Sequence, residues 1–465
     1  MNNKQKIIGT LLPVSALYSL KQKNEDQGTF IIGLDFLDWL KNTHQSAWQM
    51  LPLHQTQLEK TGFTKRVPSP YKSYGIGLNP KYLASTYLNL IPTEKEINIF
   101  KEVNLNWIED YALFCALTDF FHTDDWRTWP KGLPNQNPSI LAYWIKKLNC
   151  QINNHIIIQW RAFQSYLLLK NKAKKLGIFL VGDLPFYLTV NSPLVWAHQE
   201  VFNISKNGYL RFVSGVPNTP EAHYGRQVWG HPLYNWDVEK HKEKIILFWK
   251  MRLLYQASLF DIIRFDHAKG LFNYGEIDLQ NTKQDKYQRG PGADVFSKLI
   301  KFCKHNNLQV FAEDSGEYLT DLRICLKKKR IDSIKIFRFA LNENSGKVNK
   351  EYADIVNYPV QTVAYTTIHD TETLLGYLKI LNEEQKKMLS NASQIPYCPN
   401  NKEFAERIRN AIIKSPAHLV IIPIQDWLLT EDRINIPGTE TPINDKNWQF
   451  RLKIPVEDLP IDHLF

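Results

Sequence analysis

Four apolar runs in this chain stop abruptly at a carboxylate. They are Phe179-Leu180-Val181-Gly182-Asp183, Phe260-Asp261-Ile262-Ile263-Arg264-Phe265-Asp266, Leu308-Gln309-Val310-Phe311-Ala312-Glu313 and the stretch from Thr362 to Asp370. Each has the length and the β-branched and aromatic content of a buried strand. Helical spacing fills the ground between them: residues 238–259 carry Ile245, Phe248, Trp249 and Leu253 on one side, and further helices are expected from Asp294 to His305 and from Asp321 to Lys329. Strand and helix in alternation require a parallel sheet with crossover helices. Acids at the C-terminal ends of parallel strands, spread along a chain of 465 residues, point to a (β/α)₈ TIM barrel in the α/β class. Neither G-x-G-x-x-G nor G-x-x-x-x-G-K-[ST] follows any strand, which argues against an open nucleotide-binding sheet.

The run ending at Asp266 then continues to His267, and it constrains the chemistry most. Side chains alternate along a strand, so Arg264 and Asp266 are expected on one face, with Arg264 holding Asp266 ionised as a nucleophile requires. A salt bridge closing a strand is the plainer reading of the same residues. Asp183 reads equally well as a strand-end cap or as a direct participant. Two carboxylates flanking a bond can cleave a glycoside with retention, one attacking and one moving the proton. Glu313 follows Val310, Phe311 and Ala312, whose apolar character is expected to raise its pKa as an acid needs. Asp370 is left to bind sugar hydroxyls, and His267 and His369, each beside an acid, can donate to them. Carboxylates near histidines also suit a divalent ion, but neither H-E-x-x-H nor D-x-D occurs, so no metal is expected.

Two further stretches read as long functional loops: Ser69 to Pro80, dense in Ser, Pro, Gly and Tyr, and residues 208–236, ending Trp229-Gly230-His231-Pro232-Leu233-Tyr234-Asn235-Trp236. Residues 93–175 read as a helical insertion, with Trp126, Trp129, Trp144 and Trp160 as core. The expected organisation is one barrel domain over 1–465 with that insertion and a substrate-loop region at 208–236. A formal charge of +10 lies in dispersed lysines without an arginine-rich stripe, which argues against nucleic acid as a partner. Five scattered cysteines without a C-x-x-C pair, no signal-peptide h-region and no run of 18 apolar residues fit a cytoplasmic protein without a membrane segment.

Taken together, these residues resemble the amylomaltases, or 4-alpha-glucanotransferases (disproportionating enzymes), of the alpha-amylase clan, over about residues 9–451. Ser69-Pro70-Tyr71 with Asn79-Pro80 is similar to the family's N-terminal loop. Gly182-Asp183-Leu184-Pro185-Phe186-Tyr187, Asn191-Ser192 and Val195-Trp196-Ala197 look like its first barrel signature. Val213 to Pro217 and Gln227 to Tyr234 bracket its substrate loop. Arg264-Phe265-Asp266-His267, Ala312-Glu313-Asp314 with Gly316, and His369-Asp370 resemble its three carboxylate motifs. Ile434 to Thr439 and Asn447-Trp448-Gln449-Phe450-Arg451 resemble its C-terminal signature.

The resemblance implies a TIM barrel with inserted subdomains and no separate C-terminal β-domain. It implies transfer of alpha-1,4-glucan segments between maltooligosaccharide donor and acceptor by a retaining double displacement, without a cofactor. It assigns Asp266 as nucleophile, Glu313 as acid/base and Asp370 as transition-state stabiliser. Arg264, His267 and His369 would line the same sugar subsite, with Tyr71, Asp183, Gln227, Trp229 and Asn435 as further substrate contacts. Three places depart from the family pattern, one of them the small change to Ser315 in Ala312-Glu313-Asp314-Ser315-Gly316. The substrate loop reads Gly215-Val216-Pro217-Asn218-Thr219-Pro220-Glu221-Ala222-His223-Tyr224, and Asp370 is followed by Thr371-Glu372-Thr373. A hydrolase on the same scaffold and a non-catalytic glucan-binding protein are the rival readings. Oligomeric state is left open.

Overall fold

The computed structural model describes residues 6–59, 62–205, 207–218, 225–236, 239–316, 318–342, 345–437 and 446–461. Eight parallel strands form its centre: β1 Ile7–Leu11, β2 Ala47–Gln49, β3 Phe179–Leu184, β4 Ile262–Phe265, β5 Gln309–Ala312, β6 Ser333–Ile336, β7 Thr362–Tyr365 and β8 Leu419–Pro423. Their order in the sheet is β5-β4-β3-β2-β1-β8-β7-β6. β5 and β6 meet through a parallel bridge between Phe311 and Asp332, where the Ala312 N–H donates to the Asp332 carbonyl at 3.0 Å. The sheet therefore closes on itself, and the TIM barrel expected from the sequence is the fold.

The interior is packed by one set of residues from alternate positions, including Leu11, Val181, Ile262, Phe311, Ile336, Val363 and Ile421. Layers of branched side chains of this kind make a solid core rather than a pore. The opposite faces of the strands meet the helices. Helix Phe30–Asn42 lies against the long helix Asn149–Leu176, and Gly33 permits the approach: a Cβ there would sit 2.8 Å from Leu169 and 3.0 Å from the Trp48 ring. The long helix ends at Gly177, whose φ of 73° closes the last turn before the chain enters β3.

Between β2 and β3 the chain forms helices Glu94–Val103, Ile108–Phe121, Pro138–Lys147 and Asn149–Leu176, with Trp126, Trp129, Trp144 and Trp160 all buried. Helices Glu239–Leu259, Gly292–His305 and Thr320–Lys329 fall where helical spacing placed them, within a few residues. No helix among the described residues is long and apolar enough to cross a membrane. After β8 no further strand occurs among the described residues.

Two stretches read as loops contain strands. Ser73–Leu78 pairs antiparallel with His54–Thr56. Phe212–Val216 and Gln227–Pro232 join Asn273–Asp278 and Lys286–Arg289 in a four-stranded antiparallel sheet. Glycine and proline disguise these strands, because their hydrogen-bond partners lie far along the chain and leave no local signal. Both ribbons lie on segments that leave the C-terminal ends of β2, β3 and β4, so they rise over the mouth of the barrel.

Candidate active site

The mouth of the barrel opens into a cleft of about 400 Å³. Nine of the eleven residues predicted from sequence line it: Tyr71, Gln227, Trp229, Arg264, Asp266, His267, Glu313, Asp370 and Asn435. Asp183 and His369 lie one layer behind, each bonded to Tyr71.

Strand register brings the charged groups together. Arg264 on β4 stands opposite Asp183 on β3 and Phe311 on β5. Its guanidinium is a fixed fork, which suits binding several carboxylates at once. Nη1 donates to both oxygens of Asp183, at 2.9 and 2.7 Å, and to Oδ1 of Asp266 at 2.8 Å. Nη2 donates to Oε2 of Glu313 at 2.8 Å. Asp266 and Glu313 are thus held by neighbouring nitrogens of one side chain and face one cavity. Asp183 is a partner of Arg264 and Tyr71 rather than a strand-end cap.

His267 turns the chain out of β4 with φ 44°, ψ 41°, a left-handed conformation that costs a non-glycine residue some strain. The turn aims its backbone N–H at Oε2 of Glu313, 2.8 Å away, and its ring edge against Trp229. Its Nε2 is buried without a partner.

On the far wall, His369 Nε2 lies 3.2 Å from Oδ2 of Asp370 and 2.9 Å from the Tyr71 hydroxyl, with the Tyr71 and His369 rings stacked. Asn435 donates from Nδ2 to Oδ1 of Asp370 at 2.6 Å. Behind them Glu372 accepts from Arg338 at 2.7 Å and from Arg433 at 2.5 Å. Arg433 then reaches the carbonyls of Asp370, at 3.3 Å, and Asn435, at 3.2 Å. This brace was not foreseen from sequence, although Glu372 sits in a departure from the family pattern. Trp448 is a second missed residue: its ring lies 5.5 Å from Tyr71 and 5.9 Å from His369, and its Nε1 is buried without a partner. Its place in the C-terminal signature was the available signal.

The protonation pattern corrects the sequence-based expectation. Burial pushes Asp266 well above the ordinary carboxylate range; Arg264 opposes this, while Glu313, Asp183 and Asp370 add to it. Burial likewise raises Asp183, against the pull of Arg264 and His369. Burial acts on Glu313 too, but Arg264, His267, the His267 N–H and the Ser315 hydroxyl outweigh it and hold the group down to about 2. Val310, Phe311 and Ala312 do not govern Glu313, because its carboxylate leaves the strand for these donors. Asp370 is also held at about 2: burial raises it, and His369, Asn435 and Arg264 more than offset that. One guanidinium is shared by three carboxylates, so burial and mutual repulsion still raise Asp183 and Asp266 beside it.

Residues 219–224 of the predicted substrate loop, and Gly438 and Thr439 of the C-terminal signature, lie outside the described residues. The near end of that loop is anchored: Arg226 pairs with Asp285 at 2.5 Å, Gln227 accepts from Trp229 Nε1 at 2.9 Å, and Lys72 donates to the Trp229 carbonyl at 2.8 Å.

A family model described as 4-alpha-glucanotransferase matches residues 15–97 and 85–456 of the chain. The 4-alpha-glucanotransferase of Thermus thermophilus is 28% identical over 468 residues, covering 90% of this chain and 89% of that relative. The Aquifex aeolicus 4-alpha-glucanotransferase is 27% identical over 467 residues, with 90% of each chain covered. Among solved structures, an amylomaltase from Streptococcus agalactiae in complex with acarbose matches with a TM-score of 0.83 at 24% identity, covering 97% of this chain and 95% of that one. An amylomaltase from Corynebacterium glutamicum matches with a TM-score of 0.78 at 15% identity, over 99% of this chain and 74% of that one.

Proposed function

The chain belongs to the 4-alpha-glucanotransferase family, and on that premise we propose a retaining double displacement with Asp266 as nucleophile and Glu313 as acid/base. The enzyme is a glycosyltransferase that moves alpha-1,4-glucan segments between maltooligosaccharides. The observation that carries the assignment is the shared Arg264 fork, with Asp266 on Nη1 and Glu313 on Nη2 at the same 2.8 Å. Two carboxylates held this close suit direct attack rather than attack through an intervening water.

In this reading the donor's bridging oxygen accepts a hydrogen bond from the protonated Glu313 carboxyl. That favours the cluster's proton on Glu313 and leaves Asp266 ionised. Asp266 then attacks the anomeric carbon as the glycosidic C–O bond breaks, and Glu313 gives its proton to the departing 4-oxygen. An incoming 4-hydroxyl returns a proton to Glu313 and takes the glycosyl group from Asp266. Asp370 and Asn435 bind hydroxyls of the reacting ring and favour its distorted form. The unpartnered His267 Nε2, Asn435 Oδ1 and Trp448 Nε1 gain partners when a sugar enters. Trp229 and Trp448 offer ring faces to the chain, with Tyr71, backed by Asp183 and His369, beneath it. The acarbose complex of the Streptococcus agalactiae amylomaltase supports a glucan as the occupant.

We extend the reading to organisation and setting: one catalytic barrel domain, with residues 93–175 as a helical insertion and 208–236 as the substrate-loop region. Five free cysteines, four of them buried, support a reducing, cytoplasmic location.

Incubation with maltotriose tests the activity. Transfer releases glucose and longer chains while total reducing ends stay constant. A rise in reducing ends marks a hydrolase, and binding without redistribution marks a non-catalytic protein.

A further inference from the structure

Arg252 is a buried cation that the chemistry described so far does not use. It sits in the helix Glu239–Leu259 with no exposed surface. Among the described residues no carboxylate pairs with it. Its partners are neutral: Nη1 donates to the Phe186 carbonyl at 3.2 Å and to the Tyr234 hydroxyl at 3.0 Å, Nη2 donates to the Pro185 carbonyl, and Nε has no partner. Its guanidinium lies 4.5 Å from the Trp249 ring, and Trp249 in turn stacks on Phe265, 5.2 Å away at 17°. Phe265 is the residue before Asp266. A charge taken out of water without a counter-ion costs free energy, and such groups cluster where function requires them.

The Pro185–Phe186 peptide shows what this one is aimed at. In a trans peptide the C=O and N–H point in opposite directions. The Pro185 oxygen accepts from Arg252 Nη2, and the N–H at the other end of the same peptide points to Oδ2 of Asp266, 3.5 Å away. Asp266 closes the turn by donating its own N–H to the Leu184 carbonyl at 3.2 Å. A cation on the oxygen of a peptide strengthens its N–H as a donor. Asp266 needs this help. Asp183, Glu313 and Asp370 crowd it with negative charge, and Arg264 is divided among three carboxylates.

We propose that Arg252 is a positioning residue for the nucleophile: it clamps and polarises the Pro185–Phe186 peptide so that Oδ2 of Asp266 is held in place and its negative charge is favoured. The proposal rests on the assignment of Asp266 as nucleophile. The charged and titratable groups facing this pair are few. Around Asp266 they are Arg264, Asp183, Glu313, Asp370 and the Tyr71 phenol. Around Arg252 they are Tyr234 and His54, the latter kept neutral at about 3 by burial and by Arg252 itself.

The first glycosylation step can be isolated with a 5-fluoro-glucosyl fluoride, whose leaving group needs no proton from Glu313. The rate of covalent labelling is measured against pH, and the labelled peptide is located by mass spectrometry. The wild type is expected to label Asp266. Arg252→Met is expected to label about 30- to 100-fold more slowly, with its acid limb raised by about one pH unit. Arg252→Lys keeps the charge but cannot span both carbonyls, so its limb stays in place and its rate falls less than that of the neutral variant. An Arg252→Met enzyme that melts lower but labels with the wild-type rate and acid limb overturns the proposal, leaving a structural role only. If Arg252→Met does not fold, Tyr234→Phe decides: a raised acid limb supports the clamp, and an unchanged one overturns it. A label on Glu313 in the wild type overturns the nucleophile assignment and this proposal with it, whereas a label on Asp266 with unaffected variants overturns only the role of Arg252.

Discussion

The two walls of the cleft hold their carboxylates by opposite means. On the β3–β5 wall, Asp183, Asp266 and Glu313 share the single guanidinium of Arg264. On the β7 wall, Asp370 has its own donors in His369 and Asn435, and Glu372 behind it has two arginines to itself. The first wall is short of positive charge and the second is well supplied. Buried carboxylates that compete for one cation shift one another's protonation, whereas a carboxylate with dedicated donors stays ionised and still. The proposed double displacement puts proton traffic on the first wall and fixed electrostatic support on the second.

The largest test of that contrast is Asp266→Asn. It removes the proposed nucleophile, so turnover of maltotriose is expected to fall by at least about 10⁴-fold with the fold intact. Residual turnover near wild type in the folded variant breaks the assignment. Asp370→Asn is expected to cost about 10²- to 10³-fold in kcat, the size of a lost transition-state contact, with a smaller change in KM. If KM alone moves, Asp370 is a binding group only.

Glu372→Gln sharpens the second wall. It leaves Asp370 untouched but loosens Arg433 from the Asp370 and Asn435 carbonyls, so kcat is expected to drop about tenfold. Loss of a charged hydrogen-bond acceptor that joins two arginines should also lower stability by about 1–3 kcal/mol, read by denaturant melts. An equal loss in Glu372→Gln and Asp370→Asn would remove the distinction between bracing and contact.

The smallest effect carries the clearest sign. Asp266 has a folded pKa above its ordinary 3.8, so its protonated form adds stability below pH 3.8, and that stability is lost as pH rises through the folded value. Asp370, held at about 2, does the reverse: its ionised form adds stability above pH 3.8 that is lost as pH falls toward 2. Thermal melts should therefore show Asp266→Asn more stable than wild type at pH 8 and level with it near pH 4. Asp370→Asn should be less stable at pH 8, with the gap closing on acidification. Shifts of the same sign in both variants would mean that the two walls do not differ.

Much of this arrangement could be read from the chain. β3, β4, β5 and β7 announce themselves because a buried strand must be apolar and its end at the barrel mouth need not be, so Asp183, Asp266, Glu313 and Asp370 stand out at the change. β1, β6 and β8 carry no such mark and were inferred only from the count that closes a barrel. The strands Ser73–Leu78 and Gln227–Pro232 passed as loops because their partners, His54–Thr56 and Phe212–Val216, are recognised only once the chain has folded.

Residue types and their order determined the barrel, the carboxylates at its mouth and the family. Those follow from burial and alternation, which act along the chain. Only the tertiary structure decided that Glu313 rather than Asp266 holds the stronger donors, that Glu372 braces Asp370 through Arg433, and that Arg252 backs the peptide facing Asp266. A hydrogen bond or a Coulomb interaction depends on positions in space to within an ångström, and no spacing along the chain carries that information.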